Sequence, residues 1–343
     1  MTPISISHIG VPLASGWVGG VLAPNGNIYG IPTTANQVLK IDPITNTVTT
    51  FGDVGATSGA STHNSYVDGI LVGTDIYCVP HDGEMSSAPV LVIHTANDTL
   101  SAFGSIPGQS GSGRYSGGVK VGSRIWLVPD FATTSDTGSP LRSIDTTVPQ
   151  VDVHGNTVGL GDTSYPRWWR GVLHGTDIYC GARHATGILK IDTSTGTATK
   201  FGSISGADKW RQILSANGLL WLIPNNDQLR TIDPTTDTIS LGLGTHSGFT
   251  AGCVAAFDGL IYCAGGYKVL QVDPTVAPSG GGLGQTVTNF SGPVGSGYSD
   301  LIEIPGEGLL YGIPAGTGSS QKVLRINLVS PPPGGWSVGF LKF

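Results

Sequence analysis

Charge is scarce in this chain: Asp, Glu, Lys and Arg together make up 12% of its 343 residues, about half the usual share for a soluble domain. Seventeen Lys and Arg against 23 Asp and Glu leave a formal charge of −6. No basic run is present, which argues against capture of nucleic acid by phosphate neutralisation. No apolar run approaches the roughly 20 residues that span a bilayer, so no membrane insertion is expected. The opening MTPISISHIG lacks a basic segment followed by an apolar stretch, so no secretory signal is visible. That leaves a mature terminus, or release by lysis as for virion proteins. The eight histidines fall in no HxH, HExxH or HxxxH spacing, and no GxSxG, P-loop or EF-hand pattern occurs. The expectation is therefore no metal, no cofactor and no catalytic residue.

Cysteine is also sparse, with Cys78, Cys180, Cys253 and Cys263 in no zinc spacing. Three of them directly follow Tyr77, Tyr179 and Tyr262. They thus occupy one repeat position, too far apart to pair with each other. A tight Asp258–Gly259 turn would set Cys253 opposite Ala264, with the thiols of Cys253 and Cys263 on opposite faces. Free, mostly buried thiols are expected.

What the chain does have is Gly, Ser, Thr and Asn, and a repeat. NIYGIP at 27–32 returns as DIYCVP (75–80), RIWLVP (124–129), DIYCGA (177–182), LLWLIP (219–224), LIYCAG (260–265) and LLYGIP (309–314). The aromatic markers Tyr29, Tyr77, Trp126, Tyr179, Trp221, Tyr262 and Tyr311 are spaced by 41 to 53 residues. A period in the forties built from short strands is the signature of propeller blades.

Each unit reads as four strands. Strand A is GVLA (20–23) or GVLH (171–174); a turn such as Asn25–Gly26 or Asp258–Gly259 follows, a hairpin signal because both turn residues favour positive φ. Strand B is the marker strand. Strand C is VLKID (38–42) or ILKID (188–192), and a DPITNT-like turn leads to strand D, as in TVTTFG (47–52). The recurring Asp42, Asp145, Asp192, Asp233 and Asp273 are assigned to that turn, whose backbone their side chains can bond. ISHIG (6–10) matches VTTFG (48–52), so the N-terminal strand is expected to complete the last blade and close the ring. SVGFLKF (337–343) is a competitor for that edge.

The expected fold is all-β: one seven-bladed propeller over 1–343 with four-stranded antiparallel blades. Residues 1–12 are the closing strand, and the blades lie near 17–52, 66–104, 115–161, 169–202, 210–242, 249–291 and 298–343.

VLKIDPITNTV resembles the propeller repeat named for its YVTN tetrapeptide. The order of a Gly pair followed by an aromatic is similar to Kelch repeats. The IYGIP and IDP pairing resembles uncharacterised repeats of phage- and alga-encoded proteins. The resemblance covers nearly the whole chain and implies fold rather than activity. Virginiamycin B lyases have a related propeller, which implies an enzymatic alternative, and none of their catalytic residues is carried over to this chain.

Propeller geometry puts the A–B and C–D turns on one face and the D–A and B–C loops on the other. The second set varies most, as in GDVGATSGASTHNS (52–65), HDGEMSSAP (81–89) and DFATTSDTGSP (130–140), and variable loops on a rigid scaffold are where binding concentrates. Aromatics preceding strand A (Trp17, Tyr66, Tyr115, Trp169, Trp210, Phe249 and Tyr298) are expected near the mouth on that face, with Asp68, Arg114, Arg170, Lys209, Arg211 and Asp300. Rings plus charges suit a sugar or peptide. The competing reading is that a residue type repeated in every unit packs between blades. Blade 4 departs most, and Trp168, Trp169, Arg170, Arg183 and His184 are its candidates.

The favoured reading is a non-enzymatic binding or structural protein on a virion or other extracellular surface, with other virion or surface proteins as partners. A lectin for cell-surface glycan is the alternative. A lyase or hydrolase using His81 or His184 with Asp82 or Glu84 is the enzymatic runner-up.

Overall fold

The computed structural model describes residues 4–13, 16–59, 65–81, 87–107, 115–130, 139–160, 167–240, 242, 245–247, 253–255, 258–265, 268–275, 288–291, 297–315 and 321–328. They form seven four-stranded antiparallel sheets, each with its strands in chain order A-B-C-D except at the closure. Blade 1 is typical: Trp17–Leu22, Ile28–Pro32, Val38–Asp42 and Thr47–Phe51. Strand A of every blade packs on strand A of the next, and that of the last blade packs on that of the first. The sheets are therefore wedges around one axis. A two-stranded ribbon, Asn226–Gln228 with Thr245–Ser247, lies outside this pattern. So does a short helix, Val54–Ser58, capped by the Asp53 carboxylate, which accepts from the Ala56 N–H. The helix lies inside the segment expected to be loop from 52 to 65. An N-cap Asp, a first turn that its carboxylate completes, and Gly59 in the left-handed region (φ 69°) are enough to form one turn.

Closure is made by the N-terminal strand. Ile4–Leu13 pairs with Gln321–Leu328, from Ile4 opposite Leu328 to Leu13 opposite Gln321. The last blade thus takes its outer strand from the other end of the chain. The 337–343 segment lies outside the described residues.

The core sits between blades. Strand B is buried along almost its whole length, as in Ile28–Pro32 and Leu309–Pro314, and strand C nearly so. One apolar cluster joins Val119, Val128 and Leu141 of blade 3 to Trp168, Ile178 and Leu189 of blade 4 and Trp210 and Leu222 of blade 5. Close approach of the wedges requires Gly at the start of strand A. A Cβ on Gly171 would lie 3.0 Å from Ile178 in its own blade and 3.0 Å from Val119 and Val128 in the blade before.

Turn chemistry explains the short-turn face. Asp42, Asp145, Asp192, Asp233 and Asp273 each accept the N–H two residues on, at 2.8–2.9 Å, as expected. The A–B turns divide into types. Asn217 and Gly218 both have positive φ (50° and 76°), as the paired-turn reading requires. At Asn25–Gly26 and Asp258–Gly259 only the glycines do (81° and 80°). There the asparagine or aspartate oxygen accepts the N–H two residues on, and the hairpin carries one residue more. That extra residue corrects the expected register: Cys253 lies opposite Cys263, not Ala264. Cys78, Cys180 and Cys263 are free and buried, and burial pushes the Cys78 and Cys180 thiols far up.

The marker tyrosines latch neighbouring blades. Tyr29 Oη donates to Asp98 Oδ1 at 2.9 Å, and Lys40 Nζ holds the other oxygen of the same carboxylate. Tyr179, Asp237 and Lys190 repeat the arrangement three blades on, with Tyr179 Oη 2.7 Å from Asp237 Oδ1. Tyr311 reaches Asn46 Oδ1 at 3.1 Å across the ring closure. Asn46, Asp98 and Asp237 have φ of 53–55°, a region that Asn and Asp tolerate better than other side chains. The turn thus selects the residues that receive the tyrosine.

Candidate functional site

Six of the aromatics at the start of strand A share one job. Trp17, Trp168 and Trp210 donate Nε1–H, and Tyr66, Tyr115 and Tyr298 donate Oη–H, to a backbone carbonyl at the start of strand C in their own blade, at 2.8–3.2 Å. Each is at most 4% exposed. The expectation that Trp17, Tyr66, Tyr115 and Tyr298 approach the mouth is corrected: their rings are pegs between sheets, with the polar tip already used. In blade 4 the repeat position belongs to Trp168, not Trp169. Phe249 and Arg114 lie outside the described residues.

The displaced Trp169 is therefore an extra aromatic. A bulge in strand A follows the peg in the described blades, for example between Trp169 and Gly171 or Tyr298 and Asp300. It puts two residues of strand A opposite one of strand B. The first of them is Val18, Val67, Ser116, Trp169, Arg211 or Ser299, and the second is Gly19, Asp68, Gly117, Arg170, Gln212 or Asp300.

The second set meets at the axis. Arg170, with φ of 52°, extends from blade 4 so that Nη1 lies 3.1 Å from Asp300 Oδ2 of blade 7 and 3.4 Å from Asp68 Oδ1 of blade 2. All three side chains are largely buried, at 6%, 1% and 12% exposure. Gly19 and Gly117 complete the level, because a Cβ there would come within 3.4 Å of Arg170 Nη2 and 3.1 Å of Asp68 Oδ2 respectively. This cluster forms a floor beneath the mouth.

Above it runs a belt of main-chain hydrogen bonds. The residue after each strand-B proline or alanine donates its N–H to the carbonyl of the residue before the peg of its own blade, as in Thr33 to Gly16, His81 to Ser65, Arg183 to Arg167 and Asn225 to Lys209. Its carbonyl accepts from the following blade, as in Ser65 to Thr33, Arg167 to Asp130 and Lys209 to Arg183. The belt fixes one side chain per blade around the rim: Thr33, His81, Asp130, Arg183, Asn225 and Ala315 among the described residues. From blade 2 to blade 5 this arc reads His, Asp, Arg, Asn, and here the chemistry concentrates.

The Arg183 guanidinium carbon lies 4.8 Å from the Trp169 ring centroid, a cation–π distance. Its Nε donates to Asp208 Oδ1 at 2.6 Å. Asp208 also receives Arg211 Nη2 at 3.2 Å and Asn225 Nδ2 at 2.7 Å. On the other side, the His81 ring meets Trp169 edge-on at 6.2 Å. His81 Nε2 stands 3.8 Å from Asp130 Oδ2, too far for a hydrogen bond, and neither ring nitrogen has a hydrogen-bond partner among the described residues. His184 follows Arg183; burial, and then the Arg183 charge, lower its pKa below the ordinary imidazole value. Burial pushes the Asp208 carboxyl up, but the hydrogen bond from Arg183 and the charge of Arg211 outweigh it and hold the group below the usual range.

Of the sequence candidates, Trp169, Arg183, His184 and Arg211 come together here. Trp168 is a peg, and Arg170 belongs to the axial floor. His81, Asp130, Asp208 and Asn225 complete the mouth. Asp82 and Glu84, named as partners for a catalytic histidine, lie outside the described residues. Among the described residues no group of three or more His, Cys, Asp or Glu could hold a metal ion.

Seven wedges around a plugged axis, with one asymmetric polar mouth, make this protein a β-propeller. No protein-family model and no curated protein matches the chain. Solved structures do match. Virginiamycin B lyase from Staphylococcus aureus superposes with a TM-score of 0.70 at 12% identity, covering 95% of this chain and 100% of that one. A streptogramin B lyase structure gives 0.70 at 14%, covering 95% and 98%. The extracellular domain of the hybrid two-component protein BT3049 from B. thetaiotaomicron gives 0.67 at 13%, covering 96% of this chain and 42% of that one. At such identities the likeness carries the propeller fold alone.

Proposed function

We propose that this protein is a non-enzymatic recognition propeller of a virion or other extracellular surface, and that it engages its partner through the mouth between blades 2 and 5. The observation that carries this reading is the contrast between positions. The pegs, latches and turn aspartates repeat around the ring and are consumed by the fold. The rim residues His81, Asp130, Arg183 and Asn225 occupy one equivalent position in four successive blades and are four different polar types. His81 and Arg183 keep part of their side chains exposed, with Asp130 and Asn225 buried behind them, an asymmetry that suits a binding surface. The opposite face, built of short uniform turns, is suited to docking on a scaffold. No described helix is long and apolar enough to cross a membrane.

The test is attachment to the native particle or cell by the whole protein and its Trp169→Ala variant. Wild-type attachment by a folded Trp169→Ala protein would remove the mouth from the reading. Absence of the protein from any particle or surface would remove the display.

The second reading is a lyase or hydrolase. His81, 3.8 Å from Asp130 and with no hydrogen-bond partner on either ring nitrogen among the described residues, has the makings of a general base beside a carboxylate. An activity screen over lactones and glycans, with His81→Ala as control, decides it. Silence across the screen counts against an enzyme.

A further inference from the structure

We infer that the ligand of this mouth is an acidic sugar, a glycan unit bearing one carboxylate among hydroxyls; the inference rests on the recognition reading above. Charge distribution points first to an anion. At the belt level Arg167, Arg183, Lys209 and Arg211 stand against Asp130 and Asp208, four formal positive charges to two negative inside a protein of net −6. The turn aspartates Asp42, Asp145, Asp192 and Asp233 sit on the opposite face, where hydrogen bonds from neighbouring hydroxyls and N–H groups hold them ionised. A negative ligand is therefore steered away from the turns and toward the mouth.

Local stoichiometry narrows the anion. Arg183 and Arg211 share the single Asp208 carboxylate, which leaves one positive charge and a surplus of N–H donors. Arg211 Nε has no hydrogen-bond partner among the described residues. Two guanidiniums in this position match one carboxylate by paired N–H donors. A polyanion such as a nucleic acid would instead meet the Asp208 carboxylate, with Asp130 and the axial carboxylates buried behind it. The Asp208 carboxylate, at 25% side-chain exposure, is an acceptor of the kind that sugar hydroxyls need. Trp169, half-buried and braced by Arg183 and His81, supplies the ring on which a sugar face stacks. Carboxylate, hydroxyls and a C–H face on one small unit describe a uronic or sialic acid.

The experiment is calorimetric titration of the whole protein with trigalacturonate and its methyl ester, and with sialyllactose and lactose. Binding of at least one acidic member is expected, weakened tenfold or more by esterification or loss of the sialic acid, the scale of a charge-assisted contact. Arg183→Gln and Trp169→Ala are each expected to lose tenfold or more, with Arg183→Lys intermediate because it keeps the charge and loses the fork. Thermal unfolding of each variant separates a lost contact from a lost fold. Equal binding to the acid and its neutral counterpart overturns the acidic-sugar assignment and leaves the recognition face standing. Silence toward both acids, with native attachment still lost in Trp169→Ala, has the same consequence. Native attachment unchanged in a folded Trp169→Ala protein sinks the recognition reading itself.

Discussion

Arg170 Nη1 lies 3.1 Å from Asp300 Oδ2, a contact that joins blade 4 to blade 7 across the axis. Asp68 of blade 2 makes the third member at 3.4 Å. Removing the guanidinium would leave two carboxylates buried without it, a loss of about 3–5 kcal/mol for a broken buried pair. Chemical denaturation of Arg170→Ala is expected to show that scale. Arg170→Gly should recover about 1 kcal/mol relative to Ala, since glycine adopts the positive φ at this position freely. Equal stability of the two variants would remove backbone strain from the account.

The two adjacent tryptophans of blade 4 should behave oppositely. Trp168 is fully buried with its N–H bonded, so Trp168→Ala is expected to cost about 3–5 kcal/mol. Trp169 lies on the mouth, and its truncation should cost little stability while weakening ligand capture about tenfold or more. Thermal melts and binding measured on the same two proteins check this. Two equally unstable proteins would return Trp169 to the core.

Gly118 meets Ile125 of its own blade and Ile70 and Val79 of the preceding one at 2.9–3.0 Å from the place a Cβ would take. Gly118→Ala is therefore expected to push the wedges apart and to destabilise by about 1–3 kcal/mol, the scale of overpacking. Gly122, at the A–B turn with open space around it, is the control for crowding, although its φ of 60° gives Ala a backbone cost there.

Tyr179→Phe removes the donor to Asp237 while the Lys190 contact stays. A loss of about 1 kcal/mol is expected, read by denaturant midpoint at constant slope. No change at all would mean that the latch stabilises nothing.

Acid should weaken the mouth in two steps. His184 has its folded pKa below the unfolded value near 6.5, so the unfolded chain binds the proton first and stability falls as pH drops below about 6.5. Asp208, also lowered, keeps its contribution until pH falls below the usual carboxylate range, about 4, and loses it as pH drops through the folded pKa. His184→Gln should flatten the first step alone. A profile indifferent to that change would show that His184 is not the titrating group.

The ring was legible in the sequence because its causes are local and repeated. IYGIP-like strands, Asp-headed turns and paired glycines each answer to backbone or packing rules that act within one blade, and even the closing strand followed from the match of ISHIG to VTTFG. The mouth was legible only in part. Trp169, Arg183 and His184 stood out as departures from the repeat, and Arg211 as a charge beside the aromatic that precedes strand A. His81, Asp130 and Asn225 could have been grouped with Arg183 by aligning the residue after each strand-B proline. Which of two adjacent tryptophans is the peg depends on a bulge, and a one-residue shift exchanges core for mouth. That Arg170 of blade 4 meets Asp68 and Asp300 follows from neither spacing nor motif, because only closing the wedges around an axis brings residues 102 and 130 positions apart into one buried ion cluster.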